Sequence, residues 1–194
     1  MRHIQPSGKQ TMRYPDGTVE IGEYPTLEWF EKMKEHIDFE KAVVLDLGCN
    51  DGMMSILARE AGAVICTGVD KDGERISTAK ELSTQYGYMN EFFWKKIEEF
   101  KFPKRYHVTI ASMVLHELEY PVPQLDRIRP ITSHYFVVIY RKASRSYDKT
   151  DGSWFPTEDQ MDYVMSGFDR IHSEVLLTED EDRDIVLGIY ERQQ

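Results

Sequence analysis

Cysteine is scarce in this chain of 194 residues, which has only Cys49 and Cys66. Two thiols are too few for a disulfide scaffold or a cysteine-only zinc site, and a reducing, cytoplasmic setting is the expected compartment. No metal site is expected. Apolar runs are short, and none approaches the ~20 residues that cross a bilayer. The opening stretch MRHIQPSGKQ lacks the apolar segment of a signal peptide. Positive charge is also in deficit: Lys and Arg number 24 against 34 Asp and Glu, for a net charge of -10. That balance argues against extensive nucleic-acid binding, which cationic surface drives. Internal repeats and low-complexity segments are absent. What remains is 41% hydrophobic and 30% charged, the composition of an ordinary folded domain.

Two kinds of element alternate along the chain. Residues 1–26 are rich in Gly and Pro, and Tyr14-Pro15-Asp16-Gly17-Thr18 reads as a tight turn. This stretch is expected to be an arm or lid with little regular structure. A helix follows from Leu27 to His36, with Thr26 as N-cap and Leu27, Phe30 and Met33 on its apolar face. Ala42–Leu45 is a short, wholly apolar run of the kind buried parallel strands show. Helices are then expected at Met53–Ala61 and Glu74–Tyr86, and strands at Ala63–Val69, Glu91–Trp94, Val108–Ala111 and Tyr135–Tyr140. Thr157 and Gln160 form a capping box that opens another helix. Two last strands, near Ile171–Leu177 and Asp184–Tyr190, flank the acidic run Thr178–Asp182 with no helix between them. The expected fold is therefore α/β, a Rossmann-like, doubly wound, mostly parallel seven-stranded sheet with a C-terminal antiparallel hairpin.

The chemistry concentrates at strand ends. Residues 43–52 read VVLDLGCNDG. A turn at the C-terminal end of the first strand is where such sheets bind ligands. Gly48 lets the backbone approach a ligand, and Asn50 stands where a second glycine often stands, since Asn tolerates left-handed dihedrals. Gly52 opens the helix, and Asp46 is expected at the strand tip facing the ligand. Acidic groups at Asp46 and Asp51 would repel a pyrophosphate but suit a ligand with a cationic amino-acid end. The next strand ends on Asp70, 18 residues beyond Gly52. A carboxylate there can accept both hydrogen bonds of a ribose diol, while Asp72 is placed to cap the following helix.

Together these residues resemble the class I S-adenosylmethionine-dependent methyltransferases. VVLDLGCNDG looks like that family's first motif, TGVD like its second, and YHVTIASMVLHEL like its fourth-strand segment. The resemblance covers roughly residues 42–190 and implies an arm at 1–26 and a cofactor-binding methyltransferase domain at 27–194. It implies S-adenosyl-L-methionine as cofactor, with Asp46, Gly48, Asn50 and Gly52 lining the methionine end and Asp70 on the ribose. Cys49, Lys71 and Ser112 join the cofactor side. Ile97 would lie against adenine, where Lys96 departs from the acidic residue the family usually places before it; Glu98 would substitute only with a shift of the loop. Trp94 is expected to be a partly buried strand residue. The N-terminal YPDGTVEIGEYPTLEWF more narrowly resembles the segment ahead of the core in bacterial tRNA wobble-uridine carboxymethyl- or methyltransferase-like proteins.

On the acceptor side, His116 and Glu117 follow the fourth strand, and a histidine there is the natural proton acceptor near neutral pH. After Ile139 comes YRKASRSYDK, a basic run in an acidic chain. It is expected to form a loop that attracts an anion, with Arg141 as the acceptor contact and Tyr140 and Tyr147 stacking on a ring. Tyr14 and Trp29 would close over the same site. The acceptor class is a small or nucleotide-like molecule. Two other readings stand beside this one. An NAD-dependent oxidoreductase is disfavoured by Asn50 and Asp51, and a non-catalytic cofactor-binding relative or partner subunit is suggested by Lys96.

Overall fold

The computed structural model describes residues 6–143, 153–180 and 183–193. Its backbone contacts divide into two units, residues 1–100 and 101–194.

The first unit opens with a small antiparallel pair, β1 (Met12–Arg13) on β2 (Val19–Glu20), and a bridge from Gln10 to Tyr24. The expected arm without regular structure is thus a short hairpin, closed by a turn in which Tyr14 accepts from Gly17 and donates to Thr18 through the backbone. Helix α1 (Thr26–Lys34) follows. Its N-cap is Pro25 rather than Thr26, and no side chain caps it. Thr26 is buried and its hydroxyl donates back to the Tyr24 carbonyl, so it is unavailable as a cap.

Strand β3 (Val43–Leu47), helix α2 (Met53–Glu60), strand β4 (Ile65–Asp70), helix α3 (Gly73–Gln85) and strand β5 (Glu91–Trp94) then alternate as expected. β3 and β4 are parallel, as are β4 and β5. Val44, Leu45 and Leu47 are fully buried, which is why the strand is apolar without alternation. Between α3 and β5, Ile76, Ala79 and Phe92 pack with Cys49.

The second unit holds β6 (Tyr106–Ser112), α4 (Pro121–Ile128), β7 (Thr132–Ala143), α5 (Glu158–Val164), β8 (Phe168–Asp180) and β9 (Arg183–Arg192). β6 and β7 are parallel; β9 runs antiparallel to both β7 and β8. The capping box at Thr157 is complete, with both reciprocal hydrogen bonds present. The acidic run expected as a hairpin loop is largely strand, since β8 continues to Asp180; residues 181–182 lie outside the described residues. The seven longer strands form one sheet in the order β5-β4-β3-β6-β7-β9-β8. No helix among the described residues is long and apolar enough to cross a membrane.

Gly52 carries a packing constraint of its own. It stands at the N-cap of α2 with φ of 84°. A Cβ built there would lie 2.8 Å from Ala79 Cβ and 3.1 Å from the Phe92 ring. Gly52→Ala is therefore expected to lose about 1–2 kcal/mol to the left-handed backbone and about 1–3 kcal/mol more to overpacking. Urea unfolding measures this, and an unshifted midpoint would refute the tight fit of α2 against α3 and β5.

Candidate functional site

The turn that follows β3 is built from backbone conformations few residues adopt. Gly48, Asn50 and Gly52 all have positive φ, at 65°, 50° and 84°. Only glycine and, among the common side chains, Asn and Asp take that region readily, so the sequence G-C-N-D-G suits this path. The turn is fastened to the end of β4 at several points. Gly48 N–H donates to the Val69 carbonyl at 2.8 Å, and Asn50 N–H donates to Asp70 Oδ2 at 2.9 Å. The other Asp70 oxygen accepts from Asp72 N–H at 2.9 Å. Asp72 caps α3 as expected, taking the N–H groups of Glu74 and Arg75. The two strand-end motifs are thus joined by the carboxylate that the sequence marks as the ribose ligand.

Asp46 is not at a strand tip. It is the fourth residue of β3, which runs on to Leu47, and it is only 1% exposed. Ser55 Oγ donates to its carboxylate at 2.8 Å. Burial, reinforced by the Asp70 charge, pushes its pKa up to about 7, against the opposing pull of the Ser55 hydrogen bond. Asp51 is likewise fully buried. Its carboxylate accepts from Ser7 N–H at 2.7 Å and Ser7 Oγ at 2.6 Å, and Arg75 stands 3.5 Å away. The charge that sequence reasoning assigned to the ligand at Asp51 is held by the chain itself. Cys49 also points inward, into the cluster with Ile76, Ala79 and Phe92. Burial, with the nearby Asp46 and Asp70 charges, raises its thiol pKa, so its side chain is a core residue and only its backbone belongs to the turn.

Two further assignments in this unit change, those of Trp94 and Trp29. Trp94 is 68% exposed rather than partly buried. β5 is the edge strand. The Trp94 indole N–H donates to the Lys71 carbonyl at 2.9 Å, and the ring lies so close over Gly73 that a Cβ there would meet it at 3.0 Å. Lys71 itself is exposed, Ile97 is buried in a 3-10 turn (Ile97–Glu99), Lys96 is exposed and Glu98 is half-buried. Trp29 is in the core of α1, 2% exposed and stacked on Tyr24 with ring centroids 5.5 Å apart, so it forms no open rim. Tyr14 is half-buried in the hairpin turn; its hydroxyl donates to Glu20 at 3.0 Å, and desolvation, then Glu20, pushes its pKa up to about 12.

In the second unit, Ser112 ends β6 half-buried, and Met113 follows with φ of 54°, its N–H donating to the Ile139 carbonyl at 2.7 Å. His116 and Glu117 lie in a 3-10 turn (Leu115–Glu117), the first half-buried and the second exposed. β7 extends to Ala143, so Arg141 and Lys142 are strand residues and not part of a loop. Tyr140 is buried in that strand with its hydroxyl pKa raised by desolvation, which rules out the stacking role expected of it. Arg145, Tyr147 and Lys149 lie outside the described residues. Lys142 pairs with Glu158 at 3.1 Å and Asp184 at 3.5 Å. Arg141 reaches His116 instead: its Nη1 is 3.0 Å from His116 Nε2. The guanidinium can only donate, so Nε2 is the acceptor and the imidazole proton sits on Nδ1. Phe155 stacks on the same imidazole at 5.9 Å between centroids. The predicted pair His116 and Arg141 is brought together. Ser7, Arg75 and Phe155 had no signal in the sequence.

An open sheet in this strand order, with the last strand antiparallel between two others, is the fold of the class I S-adenosylmethionine-dependent methyltransferases. Residues 44–131 match the family described as a methyltransferase domain. The chain has the fold of that class, and its matched segment lies within the sheet's βαβ units. It is similar to a ribosomal protein L11 methyltransferase of Aliivibrio fischeri strain MJ11, 31% identical over 91 residues, which cover 45% of this chain and 30% of that relative's length. Among solved structures it is similar to a putative S-adenosylmethionine-dependent methyltransferase from Listeria monocytogenes, with TM-score 0.70, 20% identity, and 86% of this chain and 98% of that one covered. It is also similar to magnesium protoporphyrin IX methyltransferase from Synechocystis PCC 6803 with bound S-adenosylmethionine, with TM-score 0.69, 15% identity, and 87% and 78% covered.

Proposed function

We propose that this chain binds S-adenosylmethionine through Asp46, the 48–52 turn and Asp70, and transfers its methyl group to a small or nucleotide-like acceptor that carries an anionic group. The observation that carries the reading is the Asn50–Asp70 hydrogen bond, which joins the glycine turn to the acid at the end of β4. The donor set fits the cofactor. It offers carboxylates at Asp46 and Asp70 and backbone amides in a turn of positive φ, which suits an ammonium and a ribose diol and disfavours a pyrophosphate. The family match at 44–131 and the cofactor bound in the Synechocystis neighbour support the same assignment.

When bound, the cofactor supplies an already activated sulfonium methyl. The chain's work is then to position the acceptor and keep water away. Arg141 stays charged at any working pH and is assigned to hold a carboxylate or phosphate of the acceptor. His116 Nε2 accepts from Arg141, and once that guanidinium turns to the acceptor's anion, Nε2 is assigned to receive a proton where the acceptor must lose one. Glu117 and Ser112 are secondary candidates beside it. Calorimetry with S-adenosylhomocysteine and with NADH tests the cofactor: binding of NADH alone would sink this reading. Arg141→Met is expected to raise KM for anionic acceptors by about tenfold or more, the value of a charged hydrogen bond, with unchanged affinity for S-adenosylhomocysteine. A panel of carboxylate, phosphate and neutral acceptors assayed with radiolabelled cofactor checks this, and methylation confined to neutral acceptors and indifferent to the substitution would refute it.

The exposed Lys96, where the family usually has an acid, favours a second reading as a cofactor-binding relative without turnover. Tight S-adenosylhomocysteine binding with no methylation across that panel would select it.

A further inference from the structure

The N-terminal arm meets the glycine turn through a set of contacts that ordinary chain packing does not require. Ser7 lies 43 and 44 residues before its partners. Its N–H and its hydroxyl both reach Asp51 Oδ2, at 2.7 and 2.6 Å, and the hydroxyl also stands 2.7 Å from Asn50 Oδ1. The hydroxyl has a single proton, shared toward two oxygens, and the shorter contact is to the charged one. The Asn50 side chain is fixed in turn, because its Oδ1 accepts from Asp51 N–H at 2.8 Å. Asn50 is the residue whose backbone takes φ of 50° and whose N–H meets Asp70.

The contacts continue beyond the turn. Helix α2 has no side-chain cap of its own. Gln10 Oε1 accepts from Met53 N–H at 3.3 Å, so an arm residue satisfies one of the open donors of the first turn. Arg13 pairs with Glu60, and Tyr86 donates to the Arg13 carbonyl at 2.7 Å. The arm is itself anchored, since Gly8, Lys9 and Thr11 exchange backbone hydrogen bonds with Glu23 and Tyr24. Gly22 approaches Gln10 so closely that a Cβ would fall 2.3 Å from its carbonyl oxygen.

We propose that Ser7 is a positioning residue, which holds the 48–52 turn in its ligand-binding shape through Asp51 and Asn50 and so makes the arm a working part of the cofactor site. This rests on the cofactor assignment above for its consequence, and on the contacts alone for the latch. Asp51 is fully buried, and a buried carboxyl group needs every donor it has. Removing the hydroxyl leaves the carboxylate short of a donor and Asn50 short of its second tether. The turn then samples conformations in which the Asn50 N–H no longer points at Asp70.

The test uses the full chain with Ser7→Ala and Ser7→Thr, the second of which keeps the hydroxyl. Amide hydrogen exchange by mass spectrometry, without cofactor, reads the peptides that cover 48–53. Calorimetry reads S-adenosylhomocysteine affinity. Ser7→Ala is expected to speed exchange in that segment by about tenfold and to weaken binding by about tenfold, the loss of one hydrogen bond to a charged group. Ser7→Thr is expected to restore both to within about twofold of wild type, the range in which a retained hydrogen bond differs by a few tenths of a kcal/mol. Wild-type exchange across 48–53 in Ser7→Ala overturns the proposal. So does faster exchange spread evenly over the chain, because that marks a general loss of stability. If wild-type protein fails to bind S-adenosylhomocysteine, the cofactor reading falls, and the exchange comparison still decides whether Ser7 holds the turn.

Discussion

Asp70→Ala is expected to weaken S-adenosylhomocysteine binding by about a hundredfold, because at least two hydrogen bonds to a charged group are lost, each about 1.5–3 kcal/mol. One set of losses is direct, since the proposed ribose hydroxyls lose their acceptor. The other is indirect. Asp70 Oδ2 holds Asn50 N–H and Oδ1 holds Asp72 N–H, so the turn loses its fastening and the α3 cap loses its support. Asp70→Asn keeps one acceptor oxygen and is expected to lose less, about tenfold, by the same reckoning. Calorimetry on both variants, with circular dichroism to confirm folding, makes the measurement. Affinity within threefold of wild type in a folded Asp70→Ala would show that this carboxylate only fastens the chain and that the ribose is held elsewhere.

What the sequence made legible follows local geometry. β5 falls where the apolar and aromatic run Glu91–Trp94 places it, and the capping box at Thr157 is visible because both its members lie three residues apart. The same holds for the glycine turn, whose positive φ values restrict the residues that can stand there. Helix α4 was not legible. Pro121 and Pro123 look like breakers, yet both sit in the first turn, where a missing N–H costs nothing. The hairpin of the arm was hidden for another reason, since strands of two residues have no period to detect. Arg141 and Lys142 were misplaced because β7 continues three residues past the apolar run, carried by its ladder to β9 rather than by side-chain character. Trp94 was misjudged because position in the sheet order, not composition, decides which strand is an edge. The role of Ser7 depends on a partner 44 residues away, and no local pattern encodes such a pairing.

The buried state of Asp46 sets stability against binding. Burial pushes its pKa in the folded chain up to about 7, from the 3.8 of an exposed aspartate. Between those two values the folded protein holds a proton that the unfolded chain has released, so stability falls as pH rises through this window and levels off above it. The wild-type protein at pH 8 therefore carries a buried charge that the Ser55 hydrogen bond offsets only in part, costing on the order of 4 kcal/mol relative to pH 4. Asp46→Asn removes that term and keeps a polar partner for Ser55. It is expected to be more stable than wild type at pH 8 and to lose the advantage at pH 4, as read from urea midpoints at the two values. Binding should move the other way. A ligand ammonium beside Asp46 favours the ionised form, so S-adenosylhomocysteine affinity of the wild type should improve from pH 6 to pH 8, with proton release seen as a dependence of the binding heat on buffer. In Asp46→Asn this pH dependence should vanish and affinity at pH 8 should fall by about tenfold, the value of one charged contact. A variant as pH-sensitive in stability as wild type would place the titration on another group. One that binds as tightly as wild type at pH 8 would remove Asp46 from the ligand's surroundings, leaving it a buried carboxylate bonded to Ser55.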